Sequence, residues 1–346
     1  MNKCIDVLGI GFGCVDYIYT EGNNDYYKPM IMNGGTCLNV LTVLAQLGAN
    51  VEMLMAGTKK SDIYRQFVDY STKLNVKIRF MKQDEYPLPI CIQVNSGTDH
   101  SFKMICPLCN KKMKYVLWGR NTKDIQEVIN EPMAKVLFID RINYGSKKMA
   151  QEYFRAHKTI VYEPNSSRNT GVILEMSRVC DILKFSFSKV SKQIANRIIN
   201  ESINTNLKLL IATKGERGLE FCYRNDGTKP FSDWVELKPR NIVGGGDSSG
   251  SGDWMTAGFI NKFILLKEGR VEYSLESIKE ALSYAMGLSE FANQAVGAQG
   301  VFFDMNLIHK LNKSYQTILE TPLVFSDYRL ENTSSTNCPL CGQKTD

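Results

Sequence analysis

The stretch CIDVLGIG at residues 4–11 decides the fold class, because an apolar run that ends in glycines is typical of a buried strand. Residues 38–47 carry apolar side chains at helical spacing, and Gly48 follows as the expected C-cap. Residues 51–56 then have the pattern of a strand, and residues 62–74 that of a helix. Strand, helix and strand in succession predict a parallel sheet with crossover helices.

The alternation continues along the chain. Further apolar runs, separated by stretches able to form helices, lie at residues 135–140, 159–162, 182–185 and 209–213. Residues 254–266 and 274–295 are predicted to form two long helices. We therefore predict an α/β fold, a doubly wound parallel sheet flanked by helices, over residues 1–330.

One segment does not follow this alternation. Residues 88–105 predict a β-hairpin with its turn at residues 95–99. A hairpin inserted near the substrate end of an α/β sheet suits a lid, which we place at about residues 12–32 and 86–118. Residues 331–346 form a polar tail rich in Ser, Thr and Asn, which would be predicted as disordered were it not for its cysteines.

Composition limits the class of protein. The chain has 346 residues, 43% hydrophobic and 23% charged, which suits a packed core. No apolar run approaches ~20 residues, so no membrane span is predicted. Asp6 interrupts the apolar N-terminus and no small-residue cleavage site follows, which argues against a signal peptide and for a cytoplasmic protein. The net charge of +6 fits anionic ligands but does not require them.

The strongest local signal is GGGDSSGSGDW at residues 244–254, directly before a predicted helix. Glycines let backbone amides turn toward one point, and a helix N-terminus adds partial positive charge, so such a turn can hold phosphate. Asp253 at the helix start could accept a proton from a substrate hydroxyl. The alternative is a surface loop with a capping aspartate. No Gly-Lys-Ser/Thr closes the turn, so it is not a Walker A loop.

Residues 247–253 (DSSGSGD), with AGF at residues 257–259, resemble the C-terminal signature of the ribokinase-like carbohydrate kinases, commonly DTTGAGD followed by AGF. The resemblance implies an ATP-dependent kinase that uses Mg²⁺ and phosphorylates a hydroxymethyl group of a sugar or nucleoside. It implies an anion hole at Gly250, Ser251 and Gly252, and Asp253 as the catalytic base. A monovalent cation near Asp247 and Ser249, and a homodimer, are further expectations from the resemblance alone.

The family's N-terminal signature is matched as well. NGGTCLN at residues 33–39 and LAQLG at residues 44–48 resemble its Gly-Gly…Asn…Leu-Ala…Leu-Gly run. The resemblance implies that the acceptor is bound by Asp16, Gly34, Gly35 and Asn39. Taken singly, these residues would also suit a turn, a helix residue and a solvated loop acid.

Nucleotide-side segments follow in the family's order. TKGERG at residues 213–218 resembles a nucleotide-binding loop, and ANQAVGA at residues 292–298 resembles a segment beside the adenine. The residues implied to bind the nucleotide are Thr213, Gly215, Gly218, Asn293 and Gly297. The resemblance covers roughly residues 1–311.

One segment departs from the family pattern. DILKFSFSK at residues 181–189 stands where Asp-x-x-Lys-x-Asn-x-x-Glu is usual, so Ser186 and Lys189 replace the Asn and Glu that help to organise magnesium and phosphate. A lysine could contact phosphate directly. The departure leaves open a second reading, a non-catalytic member of the family that binds a sugar or nucleotide as a sensor.

CPLC occurs twice, at residues 106–109 and 338–341, and each Cys-x-x-Cys can supply two thiolates to one tetrahedral ion. Together they predict a structural zinc site of Cys106, Cys109, Cys338 and Cys341, formed within one chain or between two subunits. Redox-active pairs and surface thiols are the alternatives. Lysines lie beside the first pair, but a charge run is usually a solvated face, and nucleic-acid binding is not favoured.

Overall fold

The computed structural model describes residues 4–20, 29–57, 62–82, 88–96, 99–106, 108–113, 115–164, 170–239, 247–267, 271–319, 321–323 and 338. The tip of the predicted hairpin at residues 97–98, the first glycines of the glycine-rich turn at residues 244–246, and Cys341 lie outside the described residues. So does the predicted tail at residues 331–346, apart from Cys338.

The strands, in chain order, are β1 Val7–Ile10, β2 Cys14–Thr20, β3 Met30–Gly34, β4 Val51–Gly57, β5 Val76–Lys82, β6 Ile90–Ser96, β7 Asp99–Lys103, β8 Val136–Ile139, β9 Thr159–Tyr162, β10 Ile182–Ser186, β11 Leu209–Thr213, β12 Leu219–Tyr223 and β13 Val235–Leu237. The α-helices are α1 Thr36–Gln46, α2 Asp62–Lys73, α3 Thr122–Ile129, α4 Tyr144–Arg155, α5 Thr170–Ser177, α6 Lys192–Glu201, α7 Ser251–Ile260, α8 Leu275–Ala292 and α9 Met305–Tyr315.

Within the described residues, the larger sheet has nine strands in the order β13, β12, β11, β10, β9, β8, β1, β4 and β5. The strands from β5 across to β11 pair in parallel, whereas β12 and β13 pair antiparallel at one edge. The mostly parallel α/β sheet was predicted, but its antiparallel edge was not.

Helices cover both faces of this sheet. On β1, Val7 belongs to one core cluster, together with residues of α1, α7 and α8. Leu8 and Ile10 belong to a second cluster, with residues of α3, α4 and α6. Opposite faces of one strand thus meet different helix layers, which confirms the doubly wound prediction.

The smaller sheet, in the described residues, has the order β3, β2, β6 and β7. The predicted hairpin is confirmed as the antiparallel pair β6 and β7, and β6 pairs in parallel with β2. Asp16 lies in the middle of β2, so the alternative of a solvated loop acid is wrong. The predicted hairpin is therefore one half of a four-stranded sheet.

The predicted helix at residues 254–266 differs in detail, because α7 starts at Ser251 and passes into a π-helical turn at Asn261–Leu265. None of the helices in the described part of the chain is long and apolar enough to cross a membrane.

The position of β1 fixes where a ligand site is expected. β1 lies between β4 and β8, so the chain order reverses at this strand. In open α/β sheets, ligands bind beyond the carboxyl ends of the strands at such a switch point. Gly11 to Gly13 follow β1 and Asp140 follows β8, which brings these residues to the expected edge.

Candidate active site

The Gly34–Gly35 pair lets the start of α1 approach two neighbouring segments. A side chain at Gly35 would lie 2.6 Å from the Phe12 carbonyl oxygen, and its φ of 92° is disfavoured for other residues. A Cβ at Gly34 would lie 1.8 Å from Asp16 Oδ2. Three of the residues predicted to bind an acceptor, Asp16 and the two glycines, are therefore in close contact.

The Asp16 carboxylate is buried and accepts a hydrogen bond from Cys14 Sγ at 3.1 Å. Burial raises the pKa of Asp16 to about 7, although the Cys14 hydrogen bond acts in the opposite direction. A carboxyl group that titrates near neutrality can both accept and donate hydrogen bonds, which suits the recognition of hydroxyl groups.

The glycine-rich turn leads into α7 through Gly250, whose φ is 77°. The amides of Ser251 and Asp253 donate to the carbonyls of Ser248 at 3.2 Å and Gly250 at 2.8 Å. Within the described residues, the amides of Gly250 and Gly252 make no hydrogen bond. The amides of Gly250 and Gly252 are thus available to an anion at the positive end of the helix dipole, and the anion hole at Gly250, Ser251 and Gly252 stays a prediction.

Asp253 lies in the first turn of α7 and accepts a hydrogen bond from Asn39 Nδ2 at 2.7 Å. Asn39 is the fourth residue of α1. Its Oδ1 accepts a hydrogen bond from Gln299 Nε2 at 3.0 Å. The fold thus brings the predicted base together with a predicted acceptor ligand. Gln299 was not predicted, because nothing in its local sequence signals that it orients Asn39.

The charges around Asp253 act in both directions. Burial raises the pKa of Asp253 to about 7, and the Glu163 carboxylate adds to this rise. The hydrogen bond from Asn39 and the positive charges of Lys184 and Lys189 lower it. A base is most effective when its pKa lies near the working pH, so a raised pKa is compatible with the role predicted for Asp253.

A buried ion pair underlies the first turn of α7. Lys184 Nζ donates to Glu163 Oε1 at 2.6 Å and to the Gly252 carbonyl at 3.1 Å. The other Glu163 oxygen accepts a hydrogen bond from the Thr256 hydroxyl at 2.6 Å. The Lys184 side chain is only 4% exposed, so these contacts hold the turn beside Asp253 with little competition from water.

The two departures from the family pattern lie at the end of β10. Ser186 Oγ shares a hydrogen bond with the Ser188 hydroxyl at 2.8 Å and accepts one from the Ser188 amide at 3.2 Å. Lys189 is exposed, yet its charge acts on Asp253. This corner therefore offers one neutral hydroxyl and one cation in place of the expected amide and carboxylate.

Asp247 joins the glycine-rich turn to the smaller sheet. Its Oδ2 accepts hydrogen bonds from Gln93 at 2.8 Å, Asn95 at 2.9 Å and the Gly297 amide at 2.9 Å, and its Oδ1 accepts one from the Ser249 amide at 2.9 Å. Burial opposes ionisation, but hydrogen bonds from Ser249, Gly297 and Asn95 hold the pKa of Asp247 below its ordinary value. The carboxylate predicted to lie near a monovalent cation is thus surrounded by donors.

The residues predicted to bind a nucleotide lie in three places. Thr213 ends β11 beside Ser186. Gly215 begins the short 3₁₀ turn that follows, and Gly218 is its C-cap. Asn293 is the C-cap of α8, and its buried Oδ1 has no hydrogen-bond partner among the described residues. Gly297 lies elsewhere, between Asp247 and the smaller sheet, where a Cβ would lie 2.5 Å from Ile18.

A second charged pair at the switch point was not singled out from the sequence. Asp140 is buried at the end of β8 and accepts hydrogen bonds from the Phe12 amide and from Arg141 Nη1, both at 2.8 Å. The Arg141 guanidinium lies over the Phe12 ring, 5.1 Å from its centroid. Burial raises the pKa of Asp140 to about 6, against the opposing charge of Arg141. The available signal was an acidic residue directly after a buried strand.

The entry to α7 permits a direct test with two neighbouring glycines. A Cβ at Gly250 would lie 2.2 Å from Ala298 Cβ, so we expect Gly250→Ala to lower the free energy of unfolding by about 1–3 kcal/mol through overlap. The left-handed backbone conformation at this position lowers the free energy of unfolding by a further amount of about 1–2 kcal/mol. Urea denaturation measures the sum of the two losses.

Gly252→Ala is the matched control for this substitution. Its Cβ would meet only Lys184 Nζ, at 3.7 Å, so the change is expected to leave stability unchanged or to raise it by about 0.5–1 kcal/mol. Equal losses of stability in the two variants would contradict the geometry described for Gly250.

Comparison with known proteins gives one family. The model of the pfkB family of carbohydrate kinases matches residues 20–303. Comparison with curated protein sequences gives no match.

Three solved structures of kinases have a fold similar to that of this chain. A ribokinase from Giardia lamblia is 12% identical with a TM-score of 0.66, and the match covers 85% of this chain and 96% of that one. A microbiome-derived acarbose kinase is 14% identical with a TM-score of 0.65, covering 85% and 94%. An uncharacterized sugar kinase from Pyrococcus horikoshii, in complex with ATP, is 18% identical with a TM-score of 0.64, covering 85% and 94%. These likenesses establish the fold.

Proposed function

The chain belongs to the pfkB family of carbohydrate kinases, and from this premise we propose that it transfers the γ-phosphoryl group of ATP to a hydroxymethyl group of a sugar or a related compound. The observation that carries the proposal is the 2.7 Å hydrogen bond from Asn39 to Asp253, which joins the acceptor side of the site to the base at the anion-binding turn. An acceptor held by Asn39 and Asp16 would present its hydroxyl beside Asp253.

The proposed reaction uses each of these groups in one step. Asp253 accepts the proton of the acceptor hydroxyl as the hydroxyl oxygen forms its bond to the γ-phosphorus, and the bond from that phosphorus to the bridging oxygen of ADP breaks. The amides of Gly250 and Gly252 and the N-terminus of α7 stabilise the negative charge on the transferred group. The smaller sheet, linked to this turn through Asp247, would shield the site from water.

Mg²⁺ bound with ATP supplies charge neutralisation at the phosphates. Mg²⁺ keeps several waters and uses few protein ligands, so a corner whose described residues offer the neutral hydroxyls of Ser186 and Ser188 would fit an ion held chiefly by phosphate and water. The Lys189 ammonium repels a cation but attracts phosphate, so we propose that Lys189 takes over part of this neutralisation.

The nucleotide side of the proposal rests on Asn293. Its buried Oδ1 lacks a partner among the described residues, and an acceptor of this kind suits a donor on the nucleotide, such as the exocyclic amine of adenine. Thr213, Gly215 and Gly218 at the end of β11 are proposed to line the phosphate end, near Ser186. ATP is also the nucleotide named for the similar sugar kinase from Pyrococcus horikoshii. Monovalent-cation binding, a homodimer and a cytoplasmic location remain predictions.

The proposal is tested by a screen of ATP consumption with Mg²⁺ across sugars, sugar acids and nucleosides. We expect ADP to form only when an acceptor is present, with equimolar phosphorylated product. If only nucleosides supported turnover, the sugar acceptor in the proposal would be wrong and a nucleoside would take its place. A folded, ATP-binding protein that turns over none of these compounds would contradict it.

The last outcome would favour the second candidate, a sensor that binds sugar or nucleotide without turnover. Ser186 and Lys189 are the observation behind this alternative. The position of Asp253 argues against it, because a carboxylate at the start of the glycine-rich turn, held by the hydrogen bond from Asn39, is the group that a kinase needs as its base and that a sensor does not need.

A further inference from the structure

Three thiols converge at the exit of the smaller sheet. The sulfur atoms of Cys106, Cys109 and Cys338 all lie within 4.8 Å of one another. Cys106 and Cys338 are buried, and Cys109 is partly exposed. Cys338 lies 232 residues beyond Cys106, so the fold brings a distant segment back to this position.

The spacing of the sulfur atoms fits shared metal ligands. Cys106 Sγ and Cys338 Sγ are 3.8 Å apart. In a tetrahedral site with a Zn–S distance of about 2.3 Å, the edge between two sulfur atoms is about 3.8 Å. A disulfide would require about 2.05 Å. The two cysteines thus stand at the distance that one zinc ion would set.

The backbone of the first cysteine pair has the form of a metal knuckle. The Asn110 amide donates to the Cys106 carbonyl at 2.9 Å, and the Cys106 amide donates to the Lys111 carbonyl at 2.9 Å. This turn needs a left-handed residue directly after the second cysteine, and Asn110 has a φ of 57°. It holds both thiols toward Cys338.

The second pair repeats this pattern in sequence. CPLC at residues 338–341 is followed by Gly342, at the position that Asn110 occupies in the first pair. Glycine tolerates the left-handed conformation without steric cost, so the sequence after the second pair is compatible with a knuckle of the same kind. Cys341 lies outside the described residues, but its place three residues after Cys338 makes it the natural fourth ligand.

We propose that Cys106, Cys109, Cys338 and Cys341 bind one Zn²⁺ within a single chain. Four thiolates leave no open coordination position, so the ion is structural and takes no part in phosphoryl transfer. The site ties the C-terminal segment to the chain that leaves β7 at Lys103, and so to the exit of the smaller sheet. The inference is independent of the proposed kinase activity.

The first test is the zinc content of the full-length chain, purified under reducing conditions without added metal. We expect one zinc per chain, and its loss in Cys109→Ser and Cys338→Ser. Cys4→Ser is the matched control, because this exposed cysteine lies outside the cluster, and it should keep the metal. A folded chain without stoichiometric zinc, or full zinc in Cys338→Ser, would overturn the proposal.

A second measurement starts from the unsubstituted chain. Titrating Co²⁺ into zinc-depleted full-length chain should give the intense thiolate-to-cobalt charge-transfer band of a four-sulfur site, weaker in Cys341→Ser. An unchanged band in Cys341→Ser would remove that residue from the ligand set. Denaturing mass spectrometry of the untreated protein should give the mass of the chain with all ten cysteines reduced. A mass lower by two hydrogens, localised by peptide mapping to two of the proposed ligands, would indicate a disulfide and contradict the site.

Discussion

Replacing Asp253 with Asn is expected to lower kcat by about 10²–10⁴-fold, the usual contribution of a general base. The amide keeps the size of the side chain but cannot accept the proton of the acceptor. Nucleotide affinity should change little, because the amides of Gly250 and Gly252 stay in place. Steady-state kinetics with the acceptor found in the screen, together with calorimetric titration of a nucleotide, measure the two quantities.

The matched control for this substitution is Asp233→Asn, which alters an exposed aspartate on the loop before β13. It should leave kcat unchanged.

The Asp253→Asn chain should be at least as stable as the unsubstituted chain above pH 7. A raised native pKa means that the native state binds the proton more tightly than the unfolded chain, so stability falls as pH rises toward about 7, and Asn removes this loss. Full turnover by the Asn variant would eliminate Asp253 as the base.

The same residue sets the expected pH profile. Only the ionised form accepts a proton, so kcat/KM should rise up to tenfold per pH unit below about 7 and level off above it. Lys189→Met removes a charge that lowers the pKa of Asp253, so the rise should move to higher pH, whereas Lys189→Arg should leave it in place. A rise that does not move in Lys189→Met would assign it to another group, such as Asp16.

Lys184→Met is expected to cost about 3–5 kcal/mol of stability, because it leaves the Glu163 carboxylate without its buried partner. Lys184 and Glu163 are 4% and 14% exposed, so water compensates little for the loss. The variant should also lose activity, since Lys184 holds the Gly252 carbonyl and lowers the pKa of Asp253. Urea denaturation at constant pH measures the stability.

The double variant Lys184→Met with Glu163→Gln separates charge from packing. Neutralising both partners should recover much of the stability lost in Lys184→Met. Lys192→Met is the surface control, because Lys192 is 54% exposed in its pair with Glu220 and should cost at most about 1 kcal/mol. A Lys184→Met loss no larger than this control would contradict a stabilising role for the buried pair.

The sequence predicted most of the fold because its strands and helices follow local periodicity. The nine-stranded sheet extends this alternation. The edge strand β13 was missed because it has three residues and none of them is buried, whereas β12 has buried residues at Leu219, Phe221 and Cys222 and carried an apolar signal that was passed over. The smaller sheet was recognised as a hairpin only, since the pairing of β2 with β6 joins segments some seventy residues apart. Pairing at that range is set by the tertiary fold and not by the composition of either strand.

The candidate site shows the same division between local and long-range information. Asp16, Asn39 and Asp253 could be predicted from motifs, whereas Gln299 and the contact between Glu163 and Lys184 depend on where distant segments meet. Gly297 was predicted beside the nucleotide from its motif alone, and the structure adds that its amide donates a hydrogen bond to Asp247. A motif indicates which backbone geometry a segment can adopt. Which other residues contact that segment depends on the rest of the fold.

The surroundings of Asp247 have a consequence for the order of folding. Its carboxylate is satisfied by Gln93, Asn95 and Gly297, which are 154, 152 and 50 residues away along the chain. Each of these contacts closes a long loop, and such closures are slow because their entropy is lost before the contact forms. We therefore expect the glycine-rich turn to reach its final geometry only after the smaller sheet and the end of α8 have docked. A partly folded chain would then carry the glycine-rich sequence without its activity, and the appearance of turnover during refolding would report completion of the whole domain.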